Sequence, residues 1–295
     1  MGMGFDKTRA RLLCDAVAPE RLTRVVDVGA NPLSAPPYAP LLEAGLCEVW
    51  GFEPHPAAYH KVVALAGPLE HYLPHAVGSG KTVEFRICTG SGMSSTLEPN
   101  IATFDALNRF HASATVVERI KLKTCKLDDL ADLPEFDLLK IDIQGGEVEV
   151  FKGAKKRLAS AICIITEAAA VPLYVDQPLL DTQIATLRPL GYSLHKFQST
   201  HSFAFHGAFS KRLPRRKYRS QFVDGDLVFL RNLLSLPSLP TEALKHLAIL
   251  ADAVVDSQDV TVAAMAELVA RGALTAGSVH DYIDQLPHVT ARPED

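Results

Sequence analysis

The sequence has no C-x-x-C pair, no G-x-G-x-x-G run and no uninterrupted apolar stretch longer than a few residues. Its five cysteines, Cys14, Cys47, Cys88, Cys125 and Cys163, lie 33 to 41 residues apart. An odd count at such spacing excludes a disulfide framework and a zinc knuckle, and reads as reduced, buried thiols. Apolar runs of a few residues fall far short of a bilayer span. The first ten residues carry charges where a leader would need an apolar core, so no signal peptide is expected. Charge of one sign is also scarce: 30 basic side chains face 34 acidic ones, for a net charge of −4. That balance lacks the basic footprint of a nucleic-acid binder. With 47% hydrophobic residues the chain is too apolar for disorder. A cytoplasmic protein is expected, and at about 150 residues per domain it has room for roughly two domains, or one with an appendage.

What is present is an alternation of short β-branched runs and helical stretches. Strands are expected at 24–29, 48–54, within 70–77, and at 82–88, 136–145, 161–167, 191–197 and 225–232. Helices are expected at 38–45, 56–66, 147–158 and 179–189, with Pro56 suited to a first helical position. This order predicts βαβ units: a doubly wound α/β fold with a mainly parallel sheet. Ligands of such sheets lie beyond the carboxyl ends of the strands. After residue 232 a proline-punctuated connector leads to helical patterns at 242–256, 259–271 and 277–286, with Thr241 as N-cap. The expected division is therefore a domain over 1–232 and a helical extension over 233–295, which packs on the sheet or serves a homodimer contact.

The strand ends carry the chemistry. Asp27 and Gly29 follow the first strand, where a glycine lets a cofactor approach the backbone. The alternative is a plain strand-to-helix turn. The dinucleotide fingerprint is broken at Asn31 and Ser34, which disfavours a dehydrogenase. Glu53 ends the second strand 24 residues after Gly29, where a carboxylate accepts both hydroxyls of a ribose.

The segments VVDVGAN (25–31), GFEP (51–54), AVG (76–78), GMSSTL (92–97), LKIDIQGGEVEVFKGA (139–154) and TEAAAVPLY (166–174) resemble, in order and spacing, the FkbM family of S-adenosylmethionine-dependent methyltransferases. The resemblance covers roughly residues 22–232 and implies a seven-stranded, Rossmann-like class I methyltransferase fold. It also implies roles. Asp27, Gly29 and Asn31 would line the methionine end of S-adenosylmethionine, and Glu53 would hold the ribose. Pro54 and His55 would lie beside the adenosine, Ala76 and Val77 would flank the adenine, and Asp142 would sit near the sulfonium. Ser94 and Ser95 match a serine-rich turn expected to face the acceptor. Two departures stand out: Leu33 where the family usually has glycine, and Gln144 where glutamate is commonest.

Methyl transfer needs two positioned reactants, and a hydroxyl acceptor also needs a base. Asp142, Glu147 and Glu167 are the acidic candidates, with His55 and His75 behind them. Each has a structural alternative: cofactor binding alone for Asp142, a first-turn helix residue for Glu147, a loop cap for Glu167. The connector 198–222 is long and holds Phe203, Phe205, Phe209 and six basic residues within 211–219. Arg215 and Arg216 in it are expected to meet the acceptor, unless the run is simply a solvated loop. His195, His201 and His206 are too loosely spaced to imply a metal. The expectation is transfer from S-adenosylmethionine to a hydroxyl of a small molecule, sugar or glycan. The alternatives are a silent cofactor-binding module, motivated by Leu33, and nucleic-acid modification, motivated only by the basic run.

Overall fold

The computed structural model describes residues 4–29, 35–214 and 217–287. Asn31, Leu33, Arg215 and Arg216 fall outside them. Eleven strands form two sheets: β1 (Thr23–Val28), β2 (Cys47–Phe52), β3 (Glu70–Leu73), β4 (Ala76–Val77), β5 (Thr82–Cys88), β6 (Val116–Cys125), β7 (Leu138–Ile141), β8 (Cys163–Ala169), β9 (Tyr192–Phe197), β10 (His201–Phe203) and β11 (Gln221–Arg231). The helices are α1 (Lys7–Val17), α2 (Ala39–Glu43), α3 (Pro56–Leu65), α4 (Ile101–Leu107), α5 (Glu147–Lys152), α6 (Lys155–Leu158), α7 (Leu180–Leu187), α8 (Thr241–Ala253), α9 (Gln258–Ala270) and α10 (Ala276–Ile283).

The main sheet runs β10-β11-β8-β7-β1-β2-β3. Strands β3, β2, β1, β7 and β8 are parallel, and β11 is antiparallel to β8. The outermost position is shared: β9 pairs with residues 227–231 of β11 and β10 with residues 221–224, so one edge strand is broken in two. The result is the expected doubly wound, mostly parallel, seven-position sheet.

Alternation of side chains along the strands builds a core on each face. One face gathers Val25, Val49, Leu138, Ile165 and Val228 under Leu13, Val17, Leu244, Leu247 and Met265. The other gathers Val26, Phe52, Leu139, Ile141 and Phe229 under Val150, Phe151, Leu158 and Leu187. The C-terminal helices thus share their core with the sheet and with α1. A buried ion pair, Arg9 Nε to Asp252 Oδ1 at 2.7 Å, ties α1 to α8. Tyr282 of α10 donates to the same oxygen at 2.7 Å.

Two expected strands take a different course in the fold, and two further expectations need correction. Residues 70–77 do not form one strand: Pro74, which has no N–H to give a ladder, separates β3 from β4, and β4 leaves the main sheet to pair with β6. Residues 82–88 do form a strand, but in a three-stranded second sheet, β4-β6-β5. The helix expected at 147–158 is interrupted at Gly153, giving α5 and α6. Thr241 is the first residue of α8 rather than its cap, and its hydroxyl accepts from Arg271 at 3.2 Å.

Candidate functional site

The carboxyl ends of β1, β2 and β7 converge because the three strands are adjacent and parallel. Gly29, at φ +89°, passes so close to β7 that an added Cβ would overlap the carbonyl oxygen of Asp142. Only glycine fits there, and its absent side chain brings the first turn against Asp142. A cleft of about 500 Å³ opens at this point, lined by Gly29, Glu53, Pro54, His55, Ala76, Val77, Ser94, Asp142 and Gln144. The antiparallel strands β5 and β6 contribute Phe85, Leu122 and Thr124 to its lining. A second lobe of about 730 Å³, sharing Phe52, Glu53 and Asp142, extends past Asp27, Tyr38 and Lys140 to Gln198 and Asp226.

Asp27 is buried at the end of β1 and accepts from the Tyr38 hydroxyl at 2.6 Å. On its Oδ1 side stands the ammonium of Lys140, with Nζ 3.5 Å away. Burial pushes the Asp27 carboxyl above its ordinary range, against the pull of Lys140 and Tyr38. Glu53 Oε1 accepts the backbone N–H of His55 at 2.8 Å, which fixes the turn after β2. His55 caps α3 through Nδ1, 3.4 Å from the N of Ala58.

Beyond β7 the chain turns through Gln144, at φ +60°, and every polar group of that side chain is used. Its Nε2 donates to Asp142 Oδ1 and to Glu167 Oε2, both at 2.8 Å. Its Oε1 accepts from Tyr174 at 2.9 Å, and the backbone carbonyl of Gln144 accepts from the Ser95 hydroxyl at 2.6 Å. A neutral amide therefore holds two carboxylates side by side. Burial first, then the charge of Asp142, drives the Glu167 carboxyl well above its ordinary range. Glu147 is engaged differently: it is buried and bends back so that Oε1 accepts from the N–H groups of Ile143 at 3.0 Å and Gly145 at 3.2 Å. Burial pushes its carboxyl up to about 7, and those backbone donors oppose the shift.

Of the expected residues, the structure brings Gly29, Glu53, Pro54, His55, Ala76, Val77, Ser94 and Asp142 to one cleft. Asp27 lines the adjoining lobe, and Glu167 reaches Asp142 through Gln144. Glu147 and Ser95 line neither lobe; both hold the backbone of the turn after β7. Ser94 faces the cleft while its Oγ accepts the N–H of Cys88 at 3.0 Å. Sequence reasoning singled out Gln144 without its bridging role, and missed Tyr174, Lys140 and the contribution of β5 and β6. The alternation of Ile120 and Leu122 with Arg119, Lys121 and Lys123 carried the signal for β6. Among the described residues no group of three or more His, Cys, Asp or Glu is placed to hold a metal ion. No helix among them is long and apolar enough to cross a membrane.

Comparison with family models matches residues 27–194, more than half of the chain, to the methyltransferase FkbM domain. No curated protein matches. Among solved structures, the chain is similar to a precorrin-6y C5,15-methyltransferase from Geobacter metallireducens, at 12% identity and TM-score 0.36, over 75% of this chain and 87% of that one. It is similar to a magnesium protoporphyrin IX methyltransferase from Synechocystis with bound S-adenosylmethionine, at 14% identity and TM-score 0.35, over 77% of each chain. A third is the O-methyltransferase of a polyketide synthase multienzyme from Brevibacillus brevis in complex with S-adenosylhomocysteine, at 11% identity and TM-score 0.34, over 91% and 84%.

Proposed function

The chain belongs to the FkbM methyltransferase family, and from that membership we propose that it moves the methyl group of S-adenosylmethionine to a hydroxyl oxygen of a small molecule or sugar. The observation that carries this reading is the meeting of Gly29, Glu53 and Asp142 in one cleft at the carboxyl edge of the sheet.

The residues present fit the cofactor. Glu53 offers carboxylate oxygens to a ribose, and Ala76, Val77, Phe85 and Leu122 give the same cleft apolar surface suited to an adenine. Asp27, buried at the end of β1 with Lys140 Nζ 3.5 Å from its Oδ1, offers a carboxylate to an ammonium group. Pro54 and His55 would border the adenosine. When bound, the cofactor supplies a methyl carbon activated by its sulfonium.

The chain's own task is then to position and deprotonate the acceptor. Asp142 faces the cleft, and Gln144 fixes it beside Glu167. A carboxyl whose affinity for protons is raised, as that of Glu167 is, makes a better general base near neutral pH than an ordinary glutamate. Asp142 is assigned the position next to the acceptor hydroxyl, with Glu167 as the proton store behind it. Ser94 at the cleft rim is assigned to acceptor contact. The five free cysteines support a reducing, cytoplasmic setting.

Titration calorimetry with S-adenosylmethionine and its demethylated product tests the reading. Binding with one site per chain, lost on replacing Glu53, is expected. No heat with either compound would overturn it.

A further inference from the structure

The connector between β10 and β11 leaves and re-enters the sheet on the edge that carries Asp142 and Glu167. This follows from the register, since Asp224 of β11 pairs with Ala169, the last residue of β8. Its base is fastened. Phe203 packs edge-on to Phe110 with ring centroids 5.5 Å apart, Arg109 lies over the Phe203 ring at 5.3 Å, and the N–H of His206 donates to Ala106 at 2.6 Å.

Past this base the connector turns its apolar groups outward. Phe205 is 60% exposed, Phe209 82%, Leu213 50% and Tyr218 51%. Lys211, Arg212, Lys217 and Arg219 lie exposed among them. None of these four cations forms an ion pair among the described residues. No acidic residue occurs between Phe203 and Gln221, whereas the chain as a whole is acidic. The tip is shaped by a short turn at Ser210–Arg212, steadied by the N–H of Gly207 donating to Ser210 at 2.8 Å.

We propose that the tip of this connector, residues 205–213 with 217–219, docks the protein on an anionic lipid surface. Phenylalanine and leucine enter the headgroup boundary, while lysine and arginine meet lipid phosphates at the same depth. Two arguments select a lipid plane over another polyanion. An exposed leucine beside an almost fully exposed phenylalanine has apolar surface to bury, which phosphate contacts alone leave in water. Six of the 30 basic residues lie within 211–219, so the remainder of the chain holds ten more acids than bases. A long polyanion lying along the protein would meet that acidic remainder, whereas a lipid plane can be met by the exposed tip. The proposal does not rest on the methyl-transfer reading, since vesicle binding needs no cofactor.

The test is co-sedimentation of the full chain with vesicles of phosphatidylcholine alone and of equimolar phosphatidylcholine and phosphatidylglycerol. Binding to the anionic vesicles only, weakening as salt is raised, is expected. Phe205→Ser with Phe209→Ser should lower the partition by at least about tenfold, and Lys211→Glu with Arg212→Glu by a similar factor. Both pairs sit at exposed positions, so melting temperatures should match the parent and exclude misfolding as the cause. Absence of anionic-vesicle binding would overturn the proposal. So would binding that survives the phenylalanine exchange, or tighter binding to polyuridylate RNA than to the vesicles.

Discussion

Gln144 Nε2 and Glu167 Oε2 are 2.8 Å apart, and the same nitrogen is 2.8 Å from Asp142 Oδ1. One amide thus separates two carboxylates whose mutual repulsion would otherwise be felt directly. Replacing it by glutamate puts a third carboxylate in contact with both. Gln144→Glu should therefore be near the parent in stability at acid pH and fall progressively below it as pH rises and the cluster must shed protons. Gln144→Leu should cost about 1–3 kcal/mol with much weaker pH dependence, because it removes donors without adding charge. Thermal melts of both variants across pH separate the two patterns. A Gln144→Glu protein as stable as the parent at alkaline pH would contradict the neutral-bridge role.

Glu147 gives a prediction of the opposite kind, since its carboxyl is raised from 4.5 to about 7 by burial. A carboxyl raised in the folded state favours the native protein most when protonated. That contribution is complete below 4.5 and is lost as pH climbs to about 7. At about 1.4 kcal/mol per unit, the loss is on the order of 3 kcal/mol. Glu147→Gln keeps an acceptor for Ile143 and Gly145 and carries no charge. Its stability relative to the parent should rise between these pH values, as denaturant titrations below 4.5 and above 7 will read. A constant difference would mean that the backbone donors fully offset the burial of the charge.

The strand ends were legible because Asp27, Glu53, Asp142 and Glu167 each interrupt an apolar run, and a polar residue at that place lies on the sheet edge where ligands bind. The Gln144 hub was not. Its partners Tyr174 and Ser95 lie 30 and 49 residues away, and no local period connects them. Helix α1 went unread although Asp6 caps it, accepting from Arg9 at 2.9 Å. Its buried Arg9 breaks the apolar stripe, and that arginine makes sense only beside Asp252, 243 residues on. The second sheet was half-read for a related reason. Residues 82–88 show the period of a strand, but nothing local to them says which sheet they join.

Gly29→Ala should be among the more damaging single-methyl changes in the chain. The new carbon would overlap the Asp142 carbonyl at 1.9 Å, on a backbone held at φ +89°. Strain at such a residue costs about 1–3 kcal/mol before the overlap is counted. Relief requires the first turn to move away from β7, which separates Gly29 from Asp142 and reshapes the cleft they line. Both a lower melting temperature and a loss of S-adenosylmethionine affinity are expected. Retained affinity in a destabilised protein would show that this close approach serves the fold alone.

Glu53→Gln and Glu53→Ala isolate the binding contribution from the fold. Glu53 is only partly buried, and among the described residues its side chain makes one hydrogen bond, from the N–H of His55 at 2.8 Å, so little stability is at stake. Two hydroxyls held by one carboxylate are charge-assisted hydrogen bonds, each worth about 1.5–3 kcal/mol. Loss of the side chain should therefore weaken S-adenosylmethionine by about a hundredfold or more, and the amide by less, since its oxygen still accepts one bond. The product S-adenosylhomocysteine has the same ribose and should lose affinity by the same factor. That equality is the decisive comparison. A variant that weakened only the sulfonium form would place Glu53 near the charged methyl end of the ligand instead of its sugar.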